Sequence, residues 1–466
     1  MPRRCKGFNK AILILLLVLL FTIPSVPLYA VEQGKETKSS QAGRFETFGD
    51  TRLAEILQLA SLKNSSIPAA VEKVNQARED VRNAAAGLGP TLSLGGTARY
   101  RSGRDEYNAS LNLIQTVYAG GTLRANLRAA ELALAAARME GAKAYQDVMN
   151  TVRTHYYECL RAEAHVVVAT EALTLAKEHL RQADSLFRRG IAPRGDVLRV
   201  QVSVTQSEVD LVGARGNLGV SQVALEHAIG ARPPAFDGVL NVESQKGTKN
   251  PQPPEYRVPE DFIARSQSQR PEITAYEYYR ARAEQLTKSA AGERLPKVTL
   301  SGRVNTDTHV NDEWHIQLEM QWMLYDGAAA ESGVRRAKAA ARELLYTLEN
   351  LSSQVIQEVR QAEIRLRSAE ERLELAARQS ETAQEDYRLA RRRYDAQLSS
   401  NLDVLDARRA LIDSRTAYVD AVYDIALAQA GLVYAMGEDL PPGELFHGGK
   451  SGRSTLDDLE LLFLTD

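Results

Sequence analysis

Two periodicities alternate along this chain. From Leu123, apolar or small residues recur in steps of four and three through Leu127, Ala130, Leu134, Ala137, Gly141 and Ala144 to Val148. They resume at Val152 and run through Cys159, Ala162, Val166, Ala169 and Ala176 to Phe187. Such a seam belongs to a helix lying along other helices, here with one four-residue stutter between Val148 and Val152. Without proline and almost without glycine, the stretch of about 65 residues predicts one unbroken helix roughly 100 Å long. The seam returns 207 positions later, from Ala330 through Val355, Val359, Ala362, Leu366, Ala369 and Tyr387 to Tyr394.

After each long helix comes a tight turn, at 188–195 and at 395–402, and then a shorter helix with its own seam. Its members include Val200, Val204, Ser207 and Leu225 in the first copy, and Ala407, Leu411, Ser414 and Leu432 in the second. Two helices joined by so short a turn are antiparallel neighbours. Upstream of the long helices, helical patterns near 53–60 and 69–86 have counterparts near 262–273 and 275–294. The later pair of these patterns ends at Gly87-Leu88-Gly89-Pro90 and at Leu295-Pro296, where glycine and proline break a helix.

Directly after each proline the period becomes two. Leu92, Leu94, Gly96, Ala98 and Tyr100 alternate with Thr91, Ser93, Thr97 and Arg99, and a polar turn at 102–106 leads into a second strand. In the second copy Trp314, Ile316, Leu318, Met320 and Trp322 alternate with His315, Gln317, Glu319 and Gln321. Each copy therefore inserts one β-hairpin between helices, at about 91–117 and about 297–325.

Landmarks bind the copies together. Tyr118-Ala119-Gly120 returns as Tyr325-Asp326-Gly327, Asp196-Val197-Leu198 as Asp403-Val404-Leu405, and Ala228-Ile229-Gly230 as Ala435-Met436-Gly437, each 207 positions on. The chain is a tandem duplication. Its expected plan is a secretory signal at 1–30, a polar lead at 31–50, a first repeat at 51–230, a proline-rich linker at 231–259, a second repeat at 260–437 and a flexible tail at 438–466. The signal reads from Arg3, Arg4, Lys6 and Lys10 before an apolar run ending at Phe21, with Ala30 closing a cleavage region.

Charge and chemistry exclude much. The formal charge is −2, and loss of the four basic residues of 1–30 takes it to −6, which leaves no electrostatic footprint for nucleic acid. Cys5 departs with the signal, so Cys159 stands alone as a small buried seam residue and no intrachain disulfide forms. No catalytic, nucleotide-binding or paired-cysteine motif is present. The seven histidines show no metal-ligand spacing, and His155 falls on the seam. An enzyme, a cofactor and a metal site are not expected. Asp196 and Asp403 open the returning helices, where a carboxylate caps free backbone N–H groups.

Strands of about ten residues with one apolar face and aromatics near the ends have the length and dressing of transmembrane β-strands. An exported chain with no expected membrane-spanning helix favours that reading, with Trp314, Ile316, Leu318, Met320 and Trp322 toward lipid. Four strands cannot close a barrel, which needs about eight, so several chains must share one. The competing reading is a periplasmic coiled-coil scaffold or adaptor without a pore, its hairpins packed inside soluble protein.

The order of these features resembles the TolC family of outer-membrane efflux and export channels. The likeness covers about 53–437, and rests on Leu295-Pro296 before a strand, the Tyr-x-Gly landmarks after strands, and Asp196-Val197-Leu198 and Asp403-Val404-Leu405 after the tips. It implies a mainly α fold with β-hairpins: duplicated coiled-coil hairpins forming an α-barrel continuous with an oligomeric transmembrane β-barrel. It further implies a homotrimer in the outer membrane, extending into the periplasm of a Gram-negative-type cell. Such a trimer is a passive conduit for tripartite efflux or type I export, coupled through a periplasmic adaptor to an inner-membrane pump. The adaptor is expected at the tips, here Gly190, Pro193, Gly195, Asp196, Leu398, Ser399, Asn401 and Asp403. Two departures stand out. Gln397 replaces the glycine of the first tip, and Arg388 and Arg391 occupy positions where well-studied members constrict the mouth with aspartates. The run Arg391-Arg392-Arg393 reads either as a solvated helix face with Asp386 and Asp395 as neighbours or, in a trimer, as part of a lumen-facing cationic constriction with Arg388 and Arg391 that favours anionic solutes.

Overall fold

The computed structural model describes residues 51–101, 104–232, 262–307, 313–439, 441 and 445–446. The expected signal and lead, most of the linker, His309, His447 and the tail from 447 onward lie outside them. The elements follow as α1 (Thr51–Lys63), α2 (Ser66–Ala86), β1 (Thr91–Arg101), β2 (Arg104–Ala119), α3 (Thr122–Arg188), α4 (Arg194–Ile229), α5 (Phe262–Gln269), α6 (Pro271–Gly292), β3 (Lys297–Asp307), β4 (Glu313–Gln321), α7 (Ala329–Asp395) and α8 (Asn401–Met436). They fall into two compact units.

The first unit takes Glu72–Glu140 and Glu272–Leu351. Its centre is one antiparallel sheet with strand order β1-β2-β3-β4, so β1 and β4 are both open edges. The register sets Leu92 beside Leu113, Leu113 beside Gly302 and Gly302 beside Ile316. One face thereby collects Leu94, Leu111, Val304 and Trp314 in a single row, and the other collects Ser93, Asn112, Arg303 and His315. Period-two sequence becomes a sheet with an apolar and a polar side. The Gln115 amide, which falls on the apolar side, donates to the Leu88 carbonyl at 2.7 Å. At the foot of β2, Gly120 adopts a left-handed φ of 62° and lies against Gly292, where a Cβ would meet the Leu295 side chain at 2.9 Å. That close approach explains the glycine of the Tyr118-Ala119-Gly120 landmark.

The second unit holds 51–71, the described part of Gly141–Pro271, and the chain from Ser352. The duplication is visible here as one repeated device. Asn64, between α1 and α2, donates its side-chain amide to the Ala228 carbonyl at 2.6 Å. Arg270, between α5 and α6, donates Nε to the Ala435 carbonyl at 3.0 Å. Each satisfies an orphan carbonyl in the last turn of a returning helix. The C-caps Gly230 and Gly437 are left-handed, with φ of 81° and 75°. A Cβ at Gly230 would come within 2.7 Å of the Lys63 carbonyl.

Along α7 the buried residues are Val355, Val359, Ala362, Leu366, Ala369, Ala376, Tyr387, Ala390 and Tyr394, all on the predicted seam. The seam of α4 is likewise buried at Val200, Val204, Ser207, Leu211, Leu225 and Ala228. The other two helices differ. In this unit α3 also buries Tyr145, Met149, Arg153 and Tyr156, and α8 also buries Val422, Ala426, Gln429, Val433 and Met436. Polar contacts give the reason, because α3 and α8 each have several helical neighbours. Lys177 on α3 pairs with Glu208 on α4 at 3.2 Å, and His165 Nε2 on α3 lies 2.9 Å from Asp420 on α8. On α8, Asp424 stands 3.5 Å from Arg372 on α7.

The double burial also accounts for one helix that passes as a membrane span by length and composition where none was expected. Asn401–Met436 contains an 18-residue window of mean hydropathy 1.2 and passes by length and composition. Its apolarity serves packing, since 56% of that window is buried inside the protein. The tail, expected to be flexible, is anchored in its described part. Asp439 forms a bidentate ion pair with Arg153, and Phe446 is buried over Gly141, whose missing Cβ leaves room for the ring.

Candidate functional site

The second unit carries the two helix-connecting turns on a common base. Leu186, Tyr387, Ala390, Tyr394, Val404, Ala407 and Leu411 form one apolar cluster, with Ala192 of the first turn packed against it. The turns share a backbone path despite different sequences. Gly190 has φ 74°, and Gln397 takes the same left-handed conformation at φ 61°. Replacement of glycine has therefore not changed the turn. It has placed a side chain where L-residues are disfavoured.

The helix starts diverge. Ser400 and Asp403 form a capping box, the Ser400 side chain accepting from the Asp403 N–H at 3.3 Å and Asp403 accepting from the Ser400 N–H at 2.9 Å. Asp403 thus caps, as its type predicts. In the first copy Pro193 occupies the cap without a side-chain bond, and Asp196 sits in the first turn near Arg199 at 3.8 Å. Gly190, Pro193, Gly195 and Leu398 are exposed, and Ser399 donates to the Ala390 carbonyl at 3.4 Å. Asn401 is a correction. It is 4% exposed, accepts from His179 Nε2 at 2.7 Å and donates to the Asp196 carbonyl at 3.4 Å, so it ties the two turns together from inside.

Basic groups crowd this end. Arg391 pairs with Glu178 of α3 at 3.4 Å, whereas Arg388 pairs with Glu385 on its own helix and is exposed. The two positions expected to constrict together are therefore held differently. Deeper in, Arg408 is buried with no carboxylate among the described residues within ion-pair distance, donating to the Ala172 carbonyl and the Ser207 hydroxyl at 3.4 Å and also to Ser203. Burial holds its guanidinium below the usual arginine range. Burial also lowers the His179 imidazole pKa; the Asn401 hydrogen bond opposes this, and Arg408 and Arg391 add to it. Arg408 stands one place off the predicted seam of Ala407 and Leu411, so the periodicity gave no sign of its burial, and its copy-one counterpart Gln201 is exposed.

On the sheet, Trp314, Ile316, Leu318 and Met320 share the apolar face and are exposed. Trp322 follows the end of β4 and donates its indole N–H to the Arg294 carbonyl at 3.2 Å. Cys159 is buried, and burial pushes its thiol up to about 11, which removes it as a nucleophile. His155 is half-buried and lies 3.0 Å from Glu158. Among the described residues no group of three His, Cys, Asp or Glu is placed to hold a metal ion.

Duplicated α-hairpins, each a long helix and a returning one, with an edge-open, two-faced sheet fit the plan of a channel subunit. A sequence profile described as Outer membrane efflux protein matches the chain twice, over 56–231 and 262–438, and the chain belongs to that family. It is 23% identical over 428 residues to Nodulation protein T of Rhizobium leguminosarum bv. trifolii, covering 85% of this chain and 87% of that one. It is also 23% identical over 404 residues to Outer membrane protein TolC of Vibrio cholerae, covering 83% and 90%. Among solved structures, the outer membrane protein VceC from Vibrio cholerae superposes with a TM-score of 0.71 at 21% identity, over 84% of this chain and 97% of that one. The CmeC outer membrane channel of Campylobacter jejuni gives 0.73 at 19%, over 88% and 91%. The family consists of outer-membrane channels that work with adaptors and inner-membrane pumps. This protein is an outer-membrane efflux channel that extends into the periplasm, and a pore-less scaffold is not favoured.

Proposed function

We propose that three copies of the chain close their sheets, four strands each, into one twelve-stranded barrel whose apolar face meets outer-membrane lipid. The barrel passes solutes passively, and an adaptor at the turns couples it to an inner-membrane pump that supplies the energy. One observation carries this reading: the sheet has two open edges and leaves an apolar face exposed. Closure removes the edges, as a bilayer requires.

Two further features support a head-to-tail ring. Gly120 of the first copy is packed against Gly292 of the second, while its counterpart Gly327 has open space around its missing Cβ. In a ring that space meets the first copy of the next chain. On α4, Val202, Val209, Val212, Val220 and Val223 are exposed beside Gly213, Gly216 and Gly219, a face suited to a neighbouring helix.

At the turns, Gly190, Pro193, Gly195, Asp196, Leu398, Ser399 and Asp403 form the docking surface, with Asn401 holding it from within. Arg388 and Arg391 narrow the periplasmic mouth and favour anions. The test is conductance of purified protein in a planar bilayer, with oligomeric mass measured on the same preparation. A conducting trimer is expected, and Arg388→Ala with Arg391→Ala should reduce its anion preference. A soluble monomer that never inserts would sink the conduit, and an unchanged ion preference would remove the constriction alone.

A further inference from the structure

The two turns carry an unbalanced charge. Segments 188–196 and 391–403 contain Arg188, Arg189, Arg194, Arg391, Arg392 and Arg393 against three carboxylates, Asp196, Asp395 and Asp403, and Asp403 is engaged in its capping box. Ordinary causes account for part of this. Helix C-termini favour cations, Arg188 pairs with Asp184 at 2.7 Å, and Arg391 pairs with Glu178 at 3.4 Å. Arg194 has no such cause. It is the first residue of α4, where the dipole disfavours a cation, and it is exposed. Among the described residues, Arg189, Arg194, Arg392 and Arg393 have no carboxylate within ion-pair distance, although all four are exposed.

Apolar side chains stand among these cations. Leu398 is 78% exposed, and Ile191, Leu198 and Leu402 are also exposed. The surface is nonetheless firmly based, because the apolar cluster and the Asn401 bridge hold both turns from below. A surface of leucines and guanidinium groups outside ion-pair contact, one of which, Arg189, donates Nε to the Ser185 carbonyl at 3.3 Å, suits a partner that brings carboxylates and small apolar knobs.

We propose that this end docks an acidic, leucine- or isoleucine-bearing segment of the periplasmic partner, its carboxylates meeting Arg189, Arg194, Arg392 and Arg393. The inference rests on the reading of the turns as the docking surface and adds the partner's chemistry. Arginine forks bind carboxylates bidentately, and exposed charge pairs steer association in a salt-dependent way.

The test uses the full-length purified protein and a synthetic antiparallel α-hairpin peptide with glutamates and leucines around its turn. A twin peptide carries lysine at each glutamate, and vesicles containing anionic phospholipid serve as the alternative occupant. The glutamate hairpin is expected to bind, and to weaken about 10-fold between about 50 and about 300 mM salt. Arg189→Glu, Arg194→Glu, Arg392→Glu and Arg393→Glu together should abolish binding, and the corresponding glutamine set should weaken it. Equal binding of both hairpins, binding of neither, or a preference for the vesicles overturns the proposal. Conductance measured on the same samples separates the two readings: failed docking with intact conductance removes the acidic partner alone, whereas a wild-type protein that never conducts removes the conduit.

Discussion

At position 163 one carboxylate meets two environments within the duplication. Glu163 on α3 is 9% exposed, while its counterpart Glu370 on α7 lies on an exposed face. Burial pushes the Glu163 carboxyl up to about 7, with Arg52 pulling weakly the other way. The folded pKa therefore lies above the unfolded value of 4.5. The native state keeps a proton that the unfolded chain has released, so this contribution to stability is complete below 4.5 and is lost as pH rises through about 7. Glu163→Gln fixes the neutral form. It should raise stability on the order of 2 kcal/mol near pH 8 and change it little near pH 4. Thermal unfolding of the purified protein at both pH values reads the difference. An equal shift at both would assign the effect to packing.

At the scale of elements, the same backbone recurs with different residues. Gln397 and Ala328 hold left-handed conformations where the first copy has Gly190 and Gly121. A left-handed non-glycine residue costs about 1–2 kcal/mol, partly offset by glycine's greater freedom in the unfolded chain. Gln397→Gly should therefore stabilise the second turn by about 0.5–1 kcal/mol, and Gly190→Ala should destabilise the first by a similar amount. Denaturation midpoints of the two variants check the pair, and a shift of the same sign in both would contradict the argument. The buried face of α7 was legible because that helix is packed along one row, and a three-four spacing reports one row. It was not legible in α3 or α8, where a second row such as Tyr145 and Met149, or Val422 and Val433, faces another neighbour. The docked tail was missed for a related reason. Its signal is Gly141, a lone glycine deep in a long helix where the second copy has Leu348, and its meaning depends on Phe446, 305 positions away.

For the whole molecule, the duplication allows closure to be written residue by residue. Within the chain β2 pairs with β3, setting Asn112 opposite Arg303 and Leu111 opposite Val304. Strand β4 is the repeat of β2, as Tyr325 is of Tyr118, and β1 is the repeat of β3, as Pro90 is of Pro296. Carried across the open edges, the same pairing sets Glu319 opposite Thr97 of the next copy and Leu318 opposite Ala98. Each pair then stays on its own face, polar with polar and apolar with apolar. Opposed residues on antiparallel strands have Cα atoms about 4.5–5.5 Å apart, which suits a disulfide. A chain carrying Thr97→Cys and Glu319→Cys should therefore run as covalent dimers and trimers on gels without reductant, and neither single variant should. Native Cys159 is buried and does not compete. Moving one partner by a single residue, to Ala98→Cys with Glu319→Cys, puts the thiols on opposite faces and should abolish the ladder. If the displaced pair linked as well as the first, the register inherited from the repeat would be wrong; if neither linked, the edges would not meet, and closure by three copies would fail with them.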